Sequence, residues 1–79
     1  MDIYFIYAEG CYKCKEMENV IRKTMSAKSK IIKMECDTEE AVDYAIENGI
    51  NDLPACVING IIIQGENFNP DDIKNAIKQ

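Results

Sequence analysis

The spacing of hydrophobic positions changes character along the chain, and each change marks the border of an element. Ile3 to Ala8 ("IYFIYA") is uncharged, β-branched and aromatic, which predicts a strand buried on both faces. Gly10 breaks that run. From Cys11 onward, apolar residues recur at Cys14, Met17, Val20, Ile21 and Met25, close to the 3.6-residue helical period. A first helix of roughly fourteen to sixteen residues follows.

Ile31 to Cys36 ("IIKMEC") alternates instead. Ile32, Met34 and Cys36 fall on one face and Ile31, Lys33 and Glu35 on the other, the pattern of a less buried strand. Asp37 reads as an N-cap with Glu40 completing a capping box, and Val42, Ala45 and Ile46 as the inward stripe of a second helix that Gly49 stops. Asn59-Gly60, between two β-branched runs, is a strong hairpin signal and pairs Ala55–Ile58 with Ile61–Gln64 through a type I′ turn. At the end, Asn69 caps a third helix with Pro70 at its first position, Asp71 and Asp72 in the first turn, and Ile73, Ala76 and Ile77 inward. The order is β-α-β-α-β-β-α. It predicts one α/β domain over residues 1–79, a four-stranded mixed sheet flanked by three helices, with its first two strands parallel through a right-handed crossover.

Composition narrows the function. Fourteen acids against nine bases leave a net charge of −5, which disfavours nucleic acid as a partner. The one basic stretch, Arg22 to Lys33, reads as a solvated helix end. The opening "MDIYFIYAEG" has neither the basic start of a signal peptide nor the roughly 20 apolar residues of a membrane span, so a cytoplasmic protein without membrane contact is expected. Lasting structural disulfides are rare in that compartment. There are four cysteines, at 11, 14, 36 and 56, and no histidine. Histidine bases, Cys–His nucleophiles and Cys/His zinc sites are therefore excluded.

The stretch "YAEGCYKCKEME" sets Cys11 and Cys14 where a central strand gives way to a helix. Four backbone N–H groups there lack helical partners, and the dipole carries about half a positive charge. Both favour a thiolate at Cys11, and such positions lower a cysteine pKa from about 8.5 to roughly 3.5–7.5. A drop to about 7 raises the thiolate fraction about 15-fold, while weaker nucleophilicity takes back about fivefold. The larger benefit is that Cys11 becomes a better leaving group for Cys14 to displace. At i and i+3 on a helix the two Cβ atoms lie about 5–6 Å apart, so a small adjustment closes a disulfide. Cys14, on the core side, is expected to be the shielded resolving thiol.

With Cys11-Tyr12-Lys13-Cys14 after the first strand and "DLPACVING" some forty residues on, the chain resembles small thioredoxin-fold redox proteins of the glutaredoxin-like or minimal thioredoxin kind, over nearly its whole length. The resemblance implies a thiol–disulfide oxidoreductase with no cofactor and no metal. Its implied partners are disulfide-containing proteins and a reductase as electron donor, and it implies a monomer. It further implies a cis bond before Pro54, with that proline against the cysteine pair, and a partner's backbone pairing with Leu53. Tyr12 and Lys13 would then meet the substrate, Lys13 also steadying the thiolate.

Departures from the family pattern sharpen the expectation. Tyr12-Lys13 is neither Gly-Pro nor Pro-Tyr. The first strand lacks the buried acid of thioredoxins, which leaves Glu9 or water to move a proton. Asp52-Leu53-Pro54 and Gln64-Gly65-Glu66-Asn67 stand in place of the glutaredoxins' Thr-Val-Pro and Gly-Gly-x-x-Asp segments, so protein disulfides are favoured over glutathione. The alternative is a soft-metal (Cu or Zn) thiolate domain, whose β-α-β-β-α-β order differs from the one read here. A site gathering all four thiols around zinc or an iron–sulfur cluster needs Cys36 and Cys56 at the helix tip, whereas both read as small buried hydrophobes. Met17 and Met25 read as core.

Overall fold

The computed structural model describes residues 1–79. It orders them as β1 (Asp2–Tyr7), α1 (Tyr12–Thr24), β2 (Lys30–Glu35), α2 (Glu39–Asn48), β3 (Ala55–Ile58), β4 (Ile61–Gln64) and α3 (Pro70–Lys78). The sheet runs β2-β1-β3-β4, with β1 and β2 parallel and the other neighbours antiparallel. This is the expected β-α-β-α-β-β-α mixed sheet with helices on both faces. β1 is central, so Ile3, Phe5 and Ile6 are all buried although they point to opposite faces.

One face of the sheet carries α1 and α3. There Phe5, Cys56 and Ile63 pack with Met17 and Ile21 of α1 and with Ile73 and Ala76 of α3. The other face carries α2, where Ile6, Met34, Ala55 and Val57 meet Ala41 and Ile50. The hairpin turn matches its expected form: Asn59 and Gly60 have φ of 52° and 79°, the two left-handed positions of a type I′ turn. Asn59 also reaches across to donate from its side-chain amide to the Ala76 carbonyl of α3 over 2.9 Å. Asn69 caps α3 by accepting from the Asp71 amide at 2.9 Å.

Four expectations need correction. Helix α1 begins at Tyr12, and Cys11 is its N-cap rather than its first residue. Strand β2 ends at Glu35, so Cys36 falls in the following turn and is half-buried instead of core. The cap of α2 is Thr38, not Asp37: its hydroxyl accepts from the Ala41 amide at 3.2 Å, so Glu40 closes no capping box. The buried stripe of α2 moves with it. Ala41, Tyr44 and, as expected, Ala45 face the sheet, with the Tyr44 ring stacked 4.9 Å from that of Tyr4, while Val42 and Ile46 turn outward, 45% and 74% exposed. The reason is steric and tertiary. Ala41 lets the helix approach the sheet closely, and the aromatic stack rotates it by about one residue, or 100°.

Candidate functional site

The sequence around the cysteines builds its own geometry. β1 stops at Tyr7, the chain turns through Gly10 (φ 72°), and Cys11 takes extended backbone angles (φ −87°, ψ 112°) before the helix starts. In that position the sulfur does what a Ser or Asp oxygen does at an ordinary N-cap. The Cys14 amide donates to Cys11 Sγ over 3.1 Å. Cys11 and Cys14 form a disulfide, with 5.2 Å between their Cα atoms. Cys11 is half-buried, whereas Cys14 is only 3% exposed and belongs to the core against α1 and α3.

Neither of the two residues between the cysteines is packed away. Tyr12 is 71% exposed, and the Lys13 ammonium pairs with Glu16 at 3.3 Å on the solvent side of the helix. Lys13 therefore has a carboxylate partner before any substrate arrives.

Leu53 and Pro54 are brought to the same end of the sheet. Ala55 lies opposite Ile6 across the β1–β3 pairing, which sets Pro54 beside the point where β1 leaves the sheet toward the cysteines. The Leu53–Pro54 bond is cis. Pro54 is buried and Leu53 partly exposed. The segment before them is held from β4: Gln64 Oε1 accepts from the Asn51 and Asp52 amides at 2.9 and 3.1 Å, and the Gly65 amide donates to the Pro54 carbonyl at 2.9 Å. Gly65 has φ 97°, and a Cβ there would come within 3.1 Å of the Asp52 carboxylate, so a side chain is doubly disfavoured. Sequence reading missed Gln64 as a functional neighbour. Its signal would have been a lone amide at the end of a strand facing a loop with unpaired N–H groups.

A cavity of about 200 Å³ opens beside both cysteines and is bordered by Tyr7, Glu9, Lys15, Glu18 and Lys33. Glu18, one turn beyond Cys14, accepts from Arg22 at 2.9 Å and pairs with Lys33 of β2 at 3.2 Å. Burial pushes its carboxyl upward, but the hydrogen bonds and charges of Arg22 and Lys33 outweigh this and leave it below the usual value. The Lys33 ammonium also sits 4.8 Å from the centre of the Tyr7 ring. Two of the bases in the stretch read as a solvated helix end thus converge on one carboxylate at the edge of this cavity.

The other two thiols stand apart. Burial pushes the Cys56 thiol up to about 12. Partial burial, followed by the neighbouring Asp37 and Glu35 charges, also raises Cys36, whose thiol donates to Asp37 at 3.7 Å. Both stay protonated at neutral pH and are poor thiolate ligands or nucleophiles. No three or more of the chain's cysteines, aspartates and glutamates are grouped to hold a metal ion. No helix is long and apolar enough to cross a membrane.

A four-stranded mixed sheet with a cysteine disulfide at the tip of the helix after its central strand, and a cis-proline loop at the same sheet end, defines a thioredoxin-like redox domain. The family model described as a thioredoxin domain matches residues 1–78, and the chain belongs to that family. Solved structures share the fold. The glutaredoxin-like protein NrdH-redoxin from Escherichia coli, described as having a thioredoxin-like activity profile, superposes with a TM-score of 0.73 at 18% identity, over 95% of this chain and 93% of that one. Thioredoxin 1 from Thermosipho africanus gives 0.65 at 19% identity, over 99% and 91%. Oxidised mitochondrial thioredoxin 3 from Saccharomyces cerevisiae gives 0.67 at 23% identity, over 98% and 76%. No curated protein matches the sequence.

Proposed function

We propose that the chain is a thiol–disulfide oxidoreductase that exchanges electrons with protein disulfides, with Cys11 as nucleophile and Cys14 as resolving thiol. The observation that carries this reading is the Cys14 amide donating to Cys11 Sγ at a helix N-terminus, with Cys14 itself buried. When the pair is reduced, the same amide and the free helix N–H groups favour negative charge on the Cys11 sulfur.

The cycle has three steps. The Cys11 thiolate attacks one sulfur of the partner disulfide, forming a mixed disulfide and releasing the partner's other sulfur as a thiolate. The Cys14 thiol gives up its proton to water or a carboxylate of the adjoining cavity and attacks Cys11 Sγ. The partner leaves as a dithiol, and the Cys11–Cys14 disulfide remains. A reductase then returns two electrons and two protons. Leu53, through its backbone, and Pro54 border the substrate's path, together with exposed Tyr12 and half-buried Lys13. The protein works in the cytoplasm as a monomer.

Reduction of insulin by the purified protein, with dithiothreitol as the electron source, tests the reading. Precipitation of insulin chains above the dithiothreitol background is the expected result. Failure to accelerate it, together with stoichiometric Cu(I) or Zn(II) binding, would instead establish the metal-thiolate alternative.

A further inference from the structure

The outward rotation of α2 leaves an apolar surface that folding does not use. Val42 and Ile46 stand one turn apart on α2 and are exposed, while Ile50, just past the Gly49 C-cap, is buried. With Cys36 and Leu53 they line a groove of about 230 Å³ in which eight of ten bordering residues are apolar. Leu53 ties this groove to the proline loop at the redox site.

The helix row beside the groove is anionic. Glu39, Asp43 and Glu47 run along that row at i, i+4 and i+8, Asp52 lies in the groove wall, and Asp37 follows Cys36 in sequence. α2 contains no cation, and every ion pair in the structure lies on α1 or between α1 and β2. The helix dipole accounts for Glu39 and Glu40 in the first turn, but Glu47 stands near the negative end, where a carboxylate is unfavourable. Asp43 and Glu47 have no such account, and they keep this edge of the helix anionic.

We propose that this groove docks a partner protein through an extended segment presenting a branched aliphatic side chain flanked by Lys or Arg. The aliphatic group fills the space between Val42, Ile46 and Leu53, and the flanking cations meet Glu39, Asp43 and Glu47. A second copy of the chain is disfavoured, because two α2 faces would set uncompensated carboxylates against each other. An anionic lipid surface is repelled in the same way. The proposal rests on the oxidoreductase reading, since it assigns the partner class that the redox site would serve, but it is tested without redox chemistry.

Two cysteine-free peptides with a central Ile-Leu pair, one flanked by lysines and one by glutamates, are titrated into the isotope-labelled protein and followed by amide chemical shifts. The lysine-flanked peptide is expected to move the amides of Val42, Ile46 and Leu53 saturably. The effect weakens as ionic strength rises from about 0.01 M to about 1 M, over which the screening length falls from about 30 to 3 Å. Ile46→Ser, at an exposed position, weakens that binding by about tenfold. Asp43→Lys with Glu47→Lys removes the preference for lysine flanks.

Equal response to both peptides, shifts confined to another surface, or concentration-dependent shifts on α2 without peptide would each overturn the proposal, the last by assigning the face to a second copy. Reduction of a small aromatic disulfide by the unmutated protein reads the thiol chemistry separately. Activity there with no peptide response sinks the groove alone, and peptide response without activity sinks the oxidoreductase reading alone.

Discussion

The sulfur of Cys11 caps the helix that carries Cys14: the Cys14 amide points at it over 3.1 Å. Cys11 is thereby held at the tip of α1, where the helix field favours an anion once the disulfide is reduced, and Cys14 sits a turn inside, closed off by the core. The two mutants should behave oppositely. Cys14→Ser is expected to accumulate mixed disulfides with a partner disulfide, because nothing displaces the partner from Cys11. Cys11→Ser should form none. Mass spectrometry of the adducts decides it, and equal trapping by both variants would refute the assigned roles.

Gln64 is a positioning residue for the loop that carries Leu53 and Pro54. Its single carbonyl oxygen accepts two loop amides, from Asn51 and Asp52. Gln64→Leu removes that acceptor and is expected to lower kcat/KM for a protein disulfide several-fold. Stability should fall by only about 1 kcal/mol, since the loop amides reach solvent. Gln64→Glu keeps an acceptor oxygen and should restore the rate. A merely structural role would instead make the two variants track their melting temperatures.

Much of this arrangement is legible from local pattern. The hairpin at Asn59-Gly60 and the capped third helix at Asn69-Pro70 are written in residues whose backbone preferences act within a few positions, and both stand where expected. The cysteine pair is similarly local, apart from the finding that Cys11 is the cap itself. What escapes is tertiary. The inward stripe of α2 is chosen by Ala41 and by Tyr44 stacking on Tyr4, forty residues away, so Val42 and Ile46 look like core when read along the helix alone. The junction of Lys33 with Glu18 depends on β2 lying beside β1 under α1, and Gln64 meets the loop only because β4 folds back beside β3. Periodicity shows that a helix has an apolar face, but the partner surface decides which residues occupy it.

Asn59 serves the turn and α3 together. It occupies a left-handed position, where asparagine is tolerated better than most residues, and donates to the Ala76 carbonyl. Asn59→Ala loses the bond and meets the left-handed penalty, so a loss of about 1–2 kcal/mol is expected. Asn59→Gly should recover the backbone part alone. Denaturant midpoints for the three proteins measure the division, and an unchanged midpoint in Asn59→Ala would contradict it.

Glu18 shields the redox cavity from the charge of Lys33. With its folded pKa below the unfolded value, the carboxylate contributes stability that is present above the unfolded pKa, near 4.5, and is lost as pH falls through the lower folded value. Glu18→Gln should therefore lower the melting temperature at neutral pH, and the difference should close in acid. Lys33, which borders the cavity, and Arg22 behind it then lack their counter-ion. The pH midpoint for alkylation of Cys11 is expected to move downward in this variant, because added positive potential favours the thiolate. An upward move would show that Glu18 acts otherwise.

Cys56 makes the corresponding statement at the alkaline end. Its thiol is enclosed in the core between sheet and helices, and burial raises it from about 9 to about 12. In the unfolded chain the thiol ionises near its ordinary value, while in the folded protein it stays protonated. A raised pKa gives stability that is complete below the unfolded value and declines as pH climbs through the interval up to the folded one. Between pH 9 and about 12, this residue alone should erode stability by up to about 1.4 kcal/mol for each pH unit. Other groups titrate in the same range, so the informative quantity is the difference from Cys56→Ala. That variant begins less stable, because the core loses volume, yet its stability should fall less steeply above pH 9. Parallel curves for the two proteins would mean that Cys56 ionises as readily folded as unfolded, and would refute the effect assigned to its burial.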